Sequence, residues 1–381
     1  MSEEFEKVPD SIPELLIMLK EKGIPPEKYN LMIARYLDYK ARIALIPIKG
    51  TFELTPLCNL DCKMCYIHLN KEQMKGAQLL DIETLKALAK EAIDNGMLNA
   101  SLTGGECLTY PWFDEFYLFL HSYGIEISVF TNAVLLDEKR IEFFKAHPPK
   151  TVFITLYGHN EDVYERVTGH RVFQRVYDNI VRAKEAGIPI KLSVTPNKFL
   201  GDDGDELVRL GISLGLAIRI NSALFEPRDE TGRTTAESDA SLDRYVSMNK
   251  IYASYIGYDI NEVEEDSLPD LGTEIERKEY GMQCAAGRDT FTIDWKGEMH
   301  PCNSLYQFKA YPLRDGFKKA WEDINKLADS YQRPVECLDC KYKKVCSPCA
   351  ALHLQGGKPG HCNPDICLRI KRMVKEGLFR L

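Results

Sequence analysis

Cys58-Asn59-Leu60-Asp61-Cys62-Lys63-Met64-Cys65-Tyr66 is the stretch on which the reading of this chain turns. It follows a β-rich run ending at Thr55-Pro56-Leu57 and sets three thiols at spacings of three and two intervening residues in one loop. Three thiolates so placed can each take one iron of a cubane cluster and leave the fourth iron open, whereas a fourth thiolate would close the centre for electron transfer only. A zinc ion is the competing occupant. Structural zinc takes four protein ligands, and the only further Cys or His at short spacing is His68.

Outward from that loop the chain alternates. β-rich runs at 51–55, 99–103, 126–131, 151–156, 191–195 and 217–221 are separated by helical stretches such as 81–95, 112–123 and 172–186, each closed by a glycine (Gly96, Gly124, Gly187). In the last of these, Val172, Val176, Ile180 and Ala183 share one helical face. Repeated strand–helix units predict parallel strands joined by right-handed crossovers. Six units fall two short of a full barrel. The expected fold is therefore α/β, a partial (β/α)6 TIM-like barrel with its site at the C-terminal ends of the strands.

Before the barrel, residues 1–46 read as helical: Ser11 caps a helix with Pro13 in its first turn, Gly23 stops it, and Pro25-Pro26 opens a second running to about Ile43. The barrel is expected over 47–235, ending in a charged, turn-rich stretch at 226–235. A bridging helix (240–255) and an acidic loop (262–276) make up 236–280, and a cysteine-rich domain fills 281–381. Its last hundred residues show little periodicity and one terminal helix after Asp365.

Composition narrows the class. The 381 residues are 44% hydrophobic and 28% charged, so bulk disorder is excluded. The net charge of −8 argues against a broad nucleic-acid footprint. The apolar run Leu15–Leu19 is too short for a spanning helix and has no cationic start, so neither a membrane span nor a signal peptide is expected and the protein is placed in the cytoplasm. In a reducing compartment the 12 cysteines read as metal ligands rather than disulfides.

The cysteine loop, with Thr103-Gly104-Gly105-Glu106 at the end of the second strand, resembles the signature of the radical S-adenosylmethionine (SAM) enzymes, and the resemblance runs from about Gly50 to Asn221. It implies that Cys58, Cys62 and Cys65 hold a [4Fe-4S] cluster. The Gly104-Gly105-Glu106 segment would hold the amino group of S-adenosylmethionine, Glu106 pairing with the ammonium. Met64 stands where the family often has an aromatic residue beside the adenine, and Tyr66 is placed with it among the cofactor contacts. Thr131, Asn132, Thr155 and Ser193 resemble polar strand-end positions that bind ribose or carboxylate, and each also reads as an ordinary strand-terminal cap. Cys107 stands where the family usually has proline and reads as a small buried hydrophobe.

Beyond Gly281 a hairpin is expected, with arms at 290–294 and 299–302 turning at Lys296-Gly297. Cys284-x12-Gly297-x4-Cys302, followed by Cys337-x2-Cys340-x5-Cys346-x2-Cys349 and by Cys362 and Cys367, resembles the SPASM extension of the radical enzymes. A zinc ribbon is the alternative for 337–349 taken alone. The resemblance implies two auxiliary [4Fe-4S] clusters, three with the SAM-binding one. Cys284, Cys302 and Cys349 would hold the first, and Cys337, Cys340, Cys346 and one of Cys362 or Cys367 the second. The leftover thiol either completes the first cluster or leaves it an open iron able to bind a substrate thiolate.

The last gap, Cys346-x2-Cys349, is one residue shorter than usual. Asn303 stands where the anaerobic sulfatase-maturing enzymes have an aspartate base, and an amide cannot accept a proton at neutral pH. Residues 154–169 and Phe225-Glu226-Pro227-Arg228 look more like the maturases of ribosomally made peptides.

The expected activity is therefore reductive cleavage of S-adenosylmethionine and hydrogen abstraction from a precursor peptide, giving an oxidised thioether or carbon–carbon cross-link. A flavodoxin- or ferredoxin-type protein would donate the electron. Many maturases carry a winged-helix leader-binding module, for which residues 1–46 are too short, so a separate leader-binding protein is a further expected partner unless these helices and the loop at 262–276 serve. Sulfatase maturation, small-molecule or tetrapyrrole modification, and a non-catalytic electron carrier are the alternatives. The last has no use for Gly104-Gly105-Glu106.

Overall fold

Two helices packed on each other open the described chain. α1 (Ile12–Glu21) is capped by Ser11 and α2 (Tyr29–Ala44) follows a short 3-10 turn, and the pair bury Leu15, Leu19, Met32 and Tyr36 against each other. The computed structural model describes residues 9–67, 69, 74, 78–228, 242–256, 281–282, 284–342, 345–346, 349–356 and 360–379. His68, most of the turn-rich stretch 226–235 and the acidic loop 262–276 lie outside them.

Six short strands then run parallel in chain order: β1 (Lys49–Glu53), β2 (Asn99–Thr103), β3 (Glu126–Thr131), β4 (Thr151–Thr155), β5 (Ile190–Val194) and β6 (Ala217–Ile220). Parallel neighbours need crossovers, and amphipathic helices supply them. α3 (Ile82–Asp94), α4 (Phe113–Ser122), α5 (Glu138–Ala146), the pair α6 (Glu161–Thr168) and α7 (Phe173–Glu185), and α8 (Gly204–Ser213) fill the gaps. Side-chain caps start several of them: Asp81 accepts from Thr84 N, Asp137 from Arg140 N and Asn160 from Val163 N. This is the predicted partial barrel, with boundaries within about two residues of the sequence reading. α9 (Leu242–Tyr255) is the described part of the expected bridging helix; its Tyr252 hydroxyl accepts from Ile218 N on β6 (2.9 Å).

The C-terminal hairpin forms as expected, but it does not stand apart. β7 (Thr290–Ile293) pairs parallel with β1, in register Lys49↔Thr290 through Phe52↔Ile293, and β8 (Met299–His300) pairs antiparallel with β7. The result is one eight-stranded sheet in the order β6-β5-β4-β3-β2-β1-β7-β8. Phe52 and Phe291 meet edge-on across the junction at 6.2 Å, so one core runs under both parts. The C-terminal ends of β1 and β7 therefore lie side by side, which positions the site.

One expectation for the last hundred residues is overturned. Besides α14 (Pro364–Lys375), the terminal helix, the region holds α10 (Pro312–Asp315), α11 (Phe317–Ser330), α12 (Val335–Leu338) and α13 (Ala350–Gly356). α11 buries Phe317, Ala320, Trp321, Ile324 and Ala328, a helical spacing that is present in the sequence. Its apolar face covers β7, with Phe317 against Phe291 at 5.1 Å, and Trp321 Nε1 donates to the Leu45 carbonyl (2.6 Å) at the end of α2. Among the described residues no helix is long and apolar enough to cross a membrane.

Candidate active site

The cysteine loop is held from two sides. On one, Gly105 N donates to the Thr55 carbonyl (2.7 Å) and Glu106 N to that of Leu57 (2.9 Å), which fastens the end of β2 onto the loop's first residues. This approach requires glycine: Gly104 has φ +139° and a Cβ there would lie 2.3 Å from Thr55 O, while one on Gly105 would lie 2.4 Å from Leu57 O. On the other side, Asp61 N and Lys63 N donate to the carbonyls of Thr168 (2.9 Å) and Val167 (3.1 Å) at the C-terminus of α6.

The three thiols so placed act on one another. Burial pushes the Cys58 thiol up to about 12, with Glu106 and Cys65 adding to the rise. Cys62 is driven well above its ordinary value by burial, then by Cys65 and Cys58, and a hydrogen bond with Tyr157 counters only part of this. Such thiols become thiolates only against a cationic centre, which fits an iron–sulfur cluster. Among the described residues, the groups whose ligand atoms converge within 4.8 Å, as a single ion requires, are Cys337–His353–Cys362 and Asp294–Glu298–His300; the loop thiols are in neither.

Glu106 faces inward. It is 1% exposed, and its carboxylate accepts from Thr131 Oγ1 (2.7 Å), Asn132 N (2.7 Å) and Leu108 N (3.1 Å). Burial raises its pKa despite these three donors. The side chain thus ties the end of β2 to that of β3. Asn132 passes the tie on, since its Nδ2 donates to Asn59 Oδ1 (2.7 Å) beside Cys58. The sequence-predicted residues Gly104, Gly105, Glu106, Thr131 and Asn132 are thus gathered around the cysteine loop. Thr155 and Ser193 are register partners on β4 and β5 farther along the rim, and Met64 is buried in the loop. Cys107 is fully buried and donates to the Phe130 carbonyl (3.2 Å), as a small core residue would.

Tyr66 turns toward the C-terminal part of the molecule. Its hydroxyl accepts from Asn303 Nδ2 (3.0 Å), and its ring packs against Phe225 at 5.8 Å. Beside it Arg228 makes a two-pronged ion pair with Glu53 at the end of β1 (2.7 and 3.1 Å), donates to the Asn303 carbonyl, and lies over the rings of Tyr66 and Tyr306 (5.5 and 4.3 Å to the centroids). Glu53 is completely buried. Burial alone would depress Arg228, but the Glu53 carboxylate more than offsets it and holds the guanidinium charged. This clasp joins the neighbour of Cys65 to the neighbour of Cys302. Sequence reasoning missed Glu53, Asn59, Tyr157 and Asn221, whose Nδ2 donates to both Ser193 Oγ (3.0 Å) and Thr195 Oγ1 (2.8 Å). Glu53 had a readable signal, a carboxylate at the end of an otherwise uncharged core-facing strand tip; the others did not.

The remaining cysteines separate into two groups. Burial pushes Cys302 up to about 12, with Cys284 and Cys349 close enough to add to it, and Cys284 likewise responds to Cys349. The second group contains Cys337, Cys340, Cys346, Cys362 and Cys367: Cys346 rises to about 11 through burial and through Cys337, Cys367 and Cys340, while Cys362 Sγ lies 3.5 Å from Cys367 Sγ. Both late thiols therefore sit with the second group, and the first has three.

Residues 52–210 match the model of the Radical SAM superfamily. The chain carries a radical SAM domain followed by SPASM-like C-terminal cysteines, and it is an enzyme of that class, using S-adenosylmethionine and an iron–sulfur cluster. It is similar to AlbA of Bacillus subtilis (strain 168), the antilisterial bacteriocin subtilosin biosynthesis protein: 25% identical over 351 residues, covering 88% of this chain and 74% of that one. It is also similar to the sporulation killing factor maturation protein SkfB of the same organism, 23% identical over 305 residues, covering 78% of this chain and 69% of the relative. In fold it resembles the crystal structure of Streptococcus suis SuiB bound to the precursor peptide SuiA, with a TM-score of 0.65 and 19% identity over 90% of this chain and 81% of that one.

Proposed function

We propose that the chain is a maturase that forms an oxidised cross-link, by preference a thioether, in a ribosomally made precursor peptide. S-adenosylmethionine bound at an iron–sulfur cluster supplies one-electron chemistry able to remove hydrogen from an unactivated carbon. Cys58, Cys62 and Cys65 would hold that cluster, and Gly104-Gly105-Glu106 the amino group of S-adenosylmethionine, with Glu106 pairing with the ammonium. Thr131, Asn132, Thr155 and Ser193 line the rim toward ribose and carboxylate. The sheet and the loops above it keep water from the reacting carbon. Two further [4Fe-4S] clusters in the two C-terminal thiol groups would accept the electron left on the substrate once one hydrogen atom has been abstracted and the thiol proton released, so that the peptide loses two hydrogens in all. A precursor peptide is its substrate, and a flavodoxin- or ferredoxin-type protein its electron donor.

The observation that carries the reading is the grouping of Cys284, Cys302 and Cys349 apart from the other C-terminal thiols; a [4Fe-4S] cluster held by these three would keep one iron open for a substrate cysteine. A metal-bound thiolate needs no base to deprotonate it. Asn303 agrees, for its amide donates to the Tyr66 hydroxyl and offers no basic group where a sulfatase-maturing enzyme would need one. The relatives named for bacteriocin biosynthesis and killing-factor maturation support a peptide substrate. The test is mass spectrometry of a co-expressed precursor peptide before and after thiol alkylation. A thioether is expected as the loss of two hydrogens with a cysteine that no longer alkylates. An unchanged mass, or full alkylation, would overturn the cross-link.

A further inference from the structure

The pocket around Cys337 contains more donors than a four-iron centre uses. Five thiols meet there, and a nitrogen of His353 lies within 4.8 Å of the Cys337 and Cys362 sulfurs. His353 is 4% exposed and stands on α13, one turn beyond Cys349 of the first thiol group, with its backbone N–H bonded to the Cys349 carbonyl (3.1 Å). Its Nδ1 is engaged by the Tyr331 hydroxyl at 3.1 Å, and its Nε2 is buried with no hydrogen-bond partner among the described residues. Tyr331 feels Cys337 of the second group together with Cys349 and Cys284 of the first. The Tyr331–His353 pair therefore lies between the two groups.

The hydrogens can be assigned by what each atom can accept. When the Tyr331 hydroxyl donates to Nδ1, the ring proton sits on Nε2, and with the Cys337 and Cys362 sulfurs within 4.8 Å of a ring nitrogen, a sulfur of a cluster bound there is the acceptor open to it. A metal-bound cysteine sulfur only accepts. Ligation by Nε2 would instead bring a sixth donor to a set that already has a thiol to spare.

We propose that His353, held by Tyr331, donates an N–H···S hydrogen bond to the Cys337–Cys362 side of the second thiol group and thereby raises the reduction potential of the cluster bound there. The physical reason is that a donor at a cluster sulfur stabilises the extra negative charge of the reduced state. His353 is thus a positioning and tuning residue. The inference rests on the reading that this group binds an iron–sulfur cluster.

The experiment is a potentiometric titration, followed by electron paramagnetic resonance, of the full-length chain reconstituted anaerobically in a Cys58→Ala/Cys62→Ala/Cys65→Ala background. His353→Leu should keep the parent's iron content, lower the midpoint potential of one auxiliary cluster and leave the other unmoved. His353→Gln, which keeps an N–H donor, should recover most of the shift, and Tyr331→Phe should give a smaller shift in the same direction. If His353→Leu folds poorly, the Gln and Phe variants still decide. Unchanged potentials in the variants overturn the proposal, as does loss of one cluster's iron in His353→Leu, which would make His353 a ligand. A parent with no second auxiliary signal fails the underlying cluster reading instead, and the proposal falls with it.

Discussion

The loop after β1 and the pocket around Cys337 both gather cysteines, but in opposite proportions. The loop presents three thiols, pinned by the glycine-bearing end of β2 and by the end of α6. The pocket has five thiols and a buried imidazole. A centre short of one ligand must take its last from a cofactor or substrate, and so can do chemistry. A centre with ligands to spare is closed and can only pass electrons. The Cys284–Cys302–Cys349 group, lying between them, has three thiols like the loop, and Tyr66, Asn303, Arg228 and Glu53 clasp it to the loop.

The contrast can be broken by mutation. The largest effect is expected from Cys58→Ala/Cys62→Ala/Cys65→Ala, which should abolish S-adenosylmethionine cleavage and remove about four irons per chain while the auxiliary signals remain. Cleavage that survives would remove the loop from the catalytic role. Next comes the clasp. Glu53→Gln strands the buried Arg228 charge and should cost about 3–5 kcal/mol in chemical denaturation. The double variant Glu53→Leu/Arg228→Met should regain most of that stability yet still lose peptide modification, because the geometry between loop and hairpin goes with the ion pair. Full activity in the double variant would mean that the clasp only stabilises the fold.

Glu106→Gln sharpens the comparison from the barrel side. It removes the charge that would pair with the ammonium of S-adenosylmethionine and weakens the bonds that tie the end of β2 to that of β3, and the expected cost in cofactor affinity is about 1.5–3 kcal/mol, read by equilibrium binding of S-adenosylmethionine. Unchanged affinity would count against a role for this turn in cofactor binding. The smallest effect is expected at the rim: Asn221→Ala should cost about 1 kcal/mol of stability by freeing Ser193 and Thr195. If Ser193 contacts the cofactor, binding should weaken in the same variant.

Much of this was legible in the order of residues. Strand and helix positions follow from local periodicity and glycine stops, and β2 and β3 were placed to the residue. The loop thiols and the Gly-Gly-Glu turn were legible because their chemistry depends on short spacing within one segment. α11 is legible too, in the spacing of Phe317, Ala320, Trp321, Ile324 and Ala328, although the cysteines around it carry no such period.

What no local pattern carried was pairing across distance. Nothing in Thr290–Ile293 says that it will extend the barrel beside β1, since a parallel partner is chosen by the packing of Phe52 on Phe291 and Phe291 on Phe317. Glu53 and Arg228, 175 positions apart, and Tyr331 and His353, 22 apart, are joined only because separate elements deliver them to one place. The assignment of Cys362 and Cys367 to the Cys337 group is of the same kind. Spacing along the chain determined which residues could be ligands, through the reach of a short loop. Which thiols share a centre, and which polar groups stand between centres, was decided by the fold, because burial in a common core sets those distances and removes the water that would otherwise separate them.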